Sequence, residues 1–141
     1  MSARSRYLRY HTEMPRLTST YRAALTTVDG RRHVVLVAER RGHDGWVADG
    51  LGRLIAMDGG GAEIAIEVVD AAQGRGIGGR LMRDLVAIAE AMDHRWLMAA
   101  VVAMNTPVLD RLRREFPAAG VRCDGPMTVV TIPLRARRCG R

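Results

Sequence analysis

The sequence predicts an α/β (α+β) domain with a mixed central sheet, partly antiparallel and partly parallel, and helices on both faces. Two observations carry this. Residues 33–69 hold three β-rich runs separated by glycine-bearing turns, the pattern of an antiparallel meander. A strongly amphipathic helix then lies between two strands, the pattern of a crossover to a parallel neighbour. At 141 residues the chain fits one domain, expected over 1–134, with a disordered basic tail over 135–141.

The elements follow in order. Residues 3–12 read as a first helix. After Pro15, Thr18 is the N-cap of a second helix that runs to about Thr26. HVVLVAE, 33–39, is a β-branched strand, and 41–45 is a turn. Residues 46–57 read as a second strand, interrupted by Gly50 and Gly52, which suggests a bulge. Asp58 to Gly61 is the next turn. EIAIEVV, 63–69, is a third strand, with Ile64, Ile66 and Val68 on one face. From Gly76 to about Met92, Leu81, Leu85, Ile88 and Met92 form a helical apolar stripe. Residues 95–103 are a buried strand. Asn105 or Thr106 caps a helix to about Glu115, with Pro107 near its start. Residues 121–123 and 128–134 close the chain as a hairpin through Gly125 and Pro126.

Composition excludes several classes. A 48% hydrophobic and 26% charged chain is not a disordered one. The longest apolar run, 96–104, is too short to cross a bilayer, so no membrane partner is expected. There is no signal-peptide pattern, and Cys123 and Cys139 make no disulfide framework, so the expected compartment is the cytoplasm. His11, His33, His43 and His94 have no ligand spacing; they read as surface or turn residues, and no metal is expected. All 22 basic residues are arginine, and the formal charge is 22 − 15 = +7. Five arginines and one acid in 1–22 give +4, and four arginines in 135–141 give +4. The body, 23–134, has 13 arginines and 14 acids, or −1. With aromatics at 4%, this argues against a nucleic-acid surface, which stays as an alternative resting on the charge alone.

The chemically informative stretch is Gln73-Gly74-Arg75-Gly76-Ile77-Gly78-Gly79-Arg80, between a strand and an amphipathic helix. Its glycines suit close backbone approach to an anion at a helix N-terminus, where free N–H groups and the helix dipole favour phosphate. Arg75 and Arg80 could add charge-assisted bonds. A plain flexible connection is one alternative. A dinucleotide fingerprint is another, since Gly74-x-Gly76-x-x-Gly79 fits its letters. That motif requires an acid about 20 residues on, at the end of the next strand. Here that strand ends in Ala103-Met104-Asn105.

Gln73-x-x-Gly76-x-Gly78 resembles the pyrophosphate loop of the GCN5-related N-acetyltransferases (GNAT). Residues 62–66 resemble that family's fourth strand, and Asn105 with the helix to Glu115 and Phe116 resembles its second cofactor motif. The likeness covers about 33–134. Residues 5–10 and 25–29 further resemble the acetyltransferase domain of bacterial protein-lysine acetyltransferases. The resemblance implies acetyl-CoA as co-substrate. Its pyrophosphate would lie on the N–H groups of Gly74, Arg75, Gly76, Ile77, Gly78 and Gly79. Its pantetheine would pair with Ile66 and Val68, where the fourth and fifth strands splay apart. Asn105 would bond the pantetheine or cap its helix. Glu63 matches the position of a general base, with Glu67 on the same strand face as a second candidate. Direct transfer to an amine, a protein lysine or a small amine, is implied.

Two departures stand out. Relatives place a tyrosine seven residues after the asparagine, and here that position is Leu112. A non-catalytic acyl-CoA-binding module is therefore an alternative. The family's first strand would precede residue 5, and it is expected to be missing here, through a short gene model, a truncated form or true loss. A homodimer is one way to cover the sheet edge this would expose.

Overall fold

A computed structural model describes residues 28–135 of the chain. The two N-terminal helices and most of the basic tail lie outside the described residues. Within them the order is β1 (His33–Gly42), β2 (Gly45–Met57), β3 (Gly61–Val68), a short 3-10 turn (Asp70–Ala72), α1 (Ile77–Ala91), β4 (Trp96–Val102), α2 (Thr106–Glu115), β5 (Gly120–Asp124) and β6 (Met127–Pro133). The six strands form one sheet in the order β1-β2-β3-β4-β6-β5. Every pairing is antiparallel except β3 with β4. The mixed sheet expected from the sequence is present, and α1 supplies the crossover that its parallel pair requires.

The chain enters β1 through a carboxylate turn. Asp29 Oδ1 accepts the N–H groups of Arg31, Arg32 and His33 at 2.9, 2.7 and 2.9 Å. Those bonds, led by that of His33, hold the exposed Asp29 carboxyl down at about 2. His33, expected at the surface, is buried at the start of the strand. β1 also runs three residues beyond its expected end at Glu39. Its last pairs are Arg40 with Val47, Arg41 with Trp46 and Gly42 with Gly45, and the Arg41 guanidinium lies 5.7 Å from the centre of the Trp46 ring. This cross-strand contact carries the hairpin on to its turn at His43 and Asp44.

The bulge expected from Gly50 and Gly52 falls at Asp49. Ala38 pairs with Gly50 and Glu39 with Ala48, so Asp49 is the extra residue. The two glycines do different work. A Cβ on Gly50 would stand 2.9 Å from the Ile77 side chain and 3.2 Å from Leu81, and one on Gly52 would stand 3.1 Å from Leu85. Both face α1, and their bareness lets the helix lie close on the sheet.

Leu81, Met82, Leu85 and Ala89 are the buried face of α1, and Leu109 and Leu112 that of α2. Most of them meet Leu54, Ile64, Leu97, Val130 and Ile132 of the sheet in one core. Leu85, at 0% exposure, contributes roughly 1.5–3 kcal/mol by burial alone. Several of the described arginines are paired, as Arg32–Asp58, Arg40–Asp49, Arg80–Asp84, Arg111–Glu115 and Arg113–Asp110. Among the described residues no helix is long and apolar enough to cross a membrane.

Close seating of α1 on the two glycines has a measurable consequence. Gly50→Val should lower the unfolding free energy by about 1–3 kcal/mol, because the added side chain pushes on Ile77 and on the Glu67 carbonyl. Urea denaturation reads this; an unchanged midpoint would show that α1 does not rest there.

Candidate functional site

The site begins where the sheet opens. β3 and β4 pair only at Gly61–Trp96, Ala62–Leu97 and Glu63–Met98. At the closed end the Trp96 indole lies on Gly61, where any Cβ would collide with it. Beyond Glu63 each strand follows its outer neighbour instead. β3 stays with β2 to Val68, and β4 stays with β6 to Val102. Two backbone bonds extend the divergence. Val69 N donates to the Asp49 carbonyl at 2.9 Å, carrying the exit of β3 toward β2. Ala103 N donates to the Pro126 carbonyl at 2.9 Å, carrying the exit of β4 toward the β5–β6 hairpin. A cleft of about 730 Å³ results.

Glu63, Ile66, Glu67, Val68, Gln73, Gly74, Gly76, Ile77, Gly78 and Asn105 all line this cleft. The register places Glu63 and Glu67 on the sheet face opposite Ile64, Ile66 and Val68, which share a face with Leu54, Gly52 and Gly50. Glu63 and Glu67 are both half-buried, and the Oε1 of Glu67 is buried. A rise of about 3.3 Å per residue sets Glu63 roughly 16 Å from Val68, whereas Glu67 adjoins it. The two carboxylates therefore serve opposite ends of the cleft.

The loop between β3 and α1 closes the wide end. Gly74 and Gly76 take φ of +75° and +80°, a left-handed backbone that only glycine adopts at low cost. Gly76 is the N-cap of α1 and brings no side chain to cap it, and the first turn carries no acid. The first N–H groups of α1 are thus left for a ligand or water. Gln73 ties the loop back through its side-chain amide, which reaches the Val68 carbonyl and Asp70 Oδ1, each at 3.2 Å.

Arg75 and Arg80 are not brought into the cleft. They line a smaller hollow of about 470 Å³ against β1, with Arg40, Asp49 and Asp84. Arg80 pairs with Asp84 at 3.3 Å. Arg75 stands 3.9 Å from Asp49, whose buried carboxylate is held by Arg40 Nε at 3.0 and 3.1 Å. Gly79 does not line the cleft either. The space where its Cβ would stand is taken by the Arg111 guanidinium. Arg111 was invisible as a site residue in sequence, where it is one of several arginines on the polar face of α2. Arg53 lies outside the cleft lining. It is 7% exposed, its Nε and Nη1 have no hydrogen-bond partner, and it stands opposite Ala65 on the face that carries Glu63 and Glu67. Leu112 lies in the core, at 3% exposure. Among the described residues no three His, Cys, Asp or Glu side chains gather as a metal site.

Residues 3–116 match the model of the Acetyltransferase (GNAT) family. No curated protein matches the chain in sequence. Among solved structures it superposes on the GNAT domain of S. lividans PAT with a TM-score of 0.80 at 23% identity, over 95% of this chain and 79% of that one. A cAMP-binding acyltransferase from Mycobacterium smegmatis gives 0.59 at 28% identity, over 94% of this chain and 41% of that one. A Salmonella typhimurium protein solved with its cofactor acetyl-CoA gives 0.60 at 20% identity, over 85% and 72%.

Asn105 is the N-cap of α2 by position, yet its side chain makes no capping bond. Asn105→Ala should then change the unfolding free energy by less than about 0.5 kcal/mol, where loss of a working cap removes about 1 kcal/mol. A loss of the larger size in a denaturant titration would show that the side chain caps after all.

Proposed function

The chain belongs to the GNAT acetyltransferase family, and from that premise we propose that it moves the acetyl group of acetyl-CoA directly onto a primary amine, with Glu63 as the general base. The observation that carries this reading is the cleft between β3 and β4, closed at one end by Glu63 and at the other by the uncapped start of α1.

The residues present fit acetyl-CoA. The N–H groups of Gly76, Ile77 and Gly78 and the positive end of the helix suit its diphosphate. The cleft-facing edge of β3 from Ile66 to Val68 suits the amides of its pantetheine arm, which pair as an added strand would. Asn105, released from capping, faces the same arm from the β4 side. Acetyl-CoA supplies an activated thioester carbonyl at the end of the arm farthest from the diphosphate. That end is the Glu63 end of the cleft, which favours Glu63 over Glu67 as the residue at the reacting carbonyl.

Glu63 takes the proton from the acceptor ammonium, directly or through one water, and frees the lone pair that attacks. A backbone N–H on the cleft edge of β3 stabilises the negative charge that develops on the carbonyl oxygen. Leu112 brings no proton to the departing thiolate, so that proton comes from water or another residue, or the thiolate leaves unprotonated. The acceptor is a primary amine, on a protein lysine or a small molecule. The 141 residues hold no lysine, so any lysine product in an assay belongs to the acceptor.

The buried Leu112 also supports a second reading, an acyl-CoA-binding module without turnover. Two measurements separate the outcomes. Acetyl-CoA should raise the melting temperature in proportion to the logarithm of its concentration; no rise at millimolar levels would refute both readings. Glu63→Gln should lower acetyl transfer by about 100-fold or more while leaving acetyl-CoA binding intact. Equal rates would remove Glu63 as the base, and a chain that binds CoA but releases no thiol with any amine offered is the module.

A further inference from the structure

The clearest anomaly near the cleft is Arg111. Its guanidinium occupies the place of the absent Gly79 side chain, in the first turn of α1. A cation packed on a helix N-terminus is repelled by the helix dipole. The first turn of α1 offers it no acid and no side-chain cap. It forms an ion pair with Glu115, one turn along its own helix, whose Oε1 accepts from Nε at 2.8 Å. That bond uses one of the five N–H donors of the guanidinium and fixes its direction. The Nη2 end is the part that lies nearest Gly79. Arg111 also lines the cleft, with Gly76, Ile77 and Gly78 beside it. Two positive features thus converge on one spot of the cleft wall, an arrangement that suits an anion between them.

We propose that Arg111 grips the diphosphate of acyl-CoA from the α2 side, with Glu115 as the positioning residue that aims it and Gly79 as its seat. This rests on the acyl-CoA reading and deepens it. The loop N–H groups hold the diphosphate from one side, and the guanidinium holds it from the other through charge-assisted bonds. Arg111 therefore makes the site select donors that carry the diphosphate over donors that carry pantetheine alone.

The test titrates the full chain and its Arg111→Gln variant with CoA, dephospho-CoA and pantetheine, following backbone amide shifts by NMR. Arg111→Gln should weaken CoA and dephospho-CoA alike, by about tenfold, and leave pantetheine unchanged. The melting temperature of the unliganded variant should match the parent, which sets aside a purely structural role. Equal CoA affinity in both proteins overturns the proposal while leaving the acyl-CoA reading intact. A loss seen with CoA but not with dephospho-CoA also overturns it, because the guanidinium would then hold the 3′-phosphate. Failure of the unaltered chain to bind CoA overturns both.

Discussion

The structure turns on a parallel ladder that stops after three pairs. β3 and β4 are joined at Gly61, Ala62 and Glu63, and from there each strand keeps its antiparallel neighbour and leaves the other. A parallel pair is the weaker of the two kinds per residue, so it is the one that yields when both strands have an antiparallel partner to follow. Carbonyls of Asp49 and Pro126 then hold the departing ends apart. The bulge that supplies Asp49 is in this sense part of the cleft. Its extra residue turns a carbonyl toward Val69, and its buried carboxylate anchors Arg40. Without the divergence the core would still form on the α1 face, but there would be no groove for an extended ligand.

The loop beyond β3 shows how one glycine-rich string answers several constraints. Gly74 and Gly76 are required by a left-handed backbone. Gly79 is required by the arginine packed on it. Gly78 takes neither unusual torsions nor a close neighbour, since a Cβ there would meet only Val68 at 3.7 Å. The positive charge around the loop is divided in the same way. Arg75 and Arg80 face carboxylates on the β1 side, while Arg111 stands over the helix start in the cleft. The net charge of the chain is thus a poor guide to where an anion binds, and local pairing a better one.

What could be read from the sequence is what local pattern determines. The β-branched run from His33, the stripe of Leu81, Leu85 and Ile88, and the Gly125–Pro126 turn gave each element its type and nearly its limits. The alternation of β3 separated Glu63 and Glu67 from the core-facing Ile64 and Ile66 before any fold was known. What could not be read depends on contacts between distant residues. β1 outruns its apolar segment because Arg41 meets Trp46 across the hairpin. Gly50 and Gly52 look like strand breakers until α1 is laid over them. Arg53 and Arg111 are single arginines among 22, distinguished only by what surrounds them in space. The splay was accessible only through family resemblance, because no residue pattern announces where two strands part.

The central claim is that the parted edge of β3 receives an extended ligand as a strand would. Amide hydrogen exchange of the whole chain, with and without saturating CoA, tests it most directly. The account predicts slowed exchange confined to the cleft side of β3 near Ile66 to Val68 and to the first turn of α1, with the β1–β2 hairpin unaltered. Slowed exchange around Arg75, Arg80 and the hollow against β1, with β3 unchanged, would contradict it.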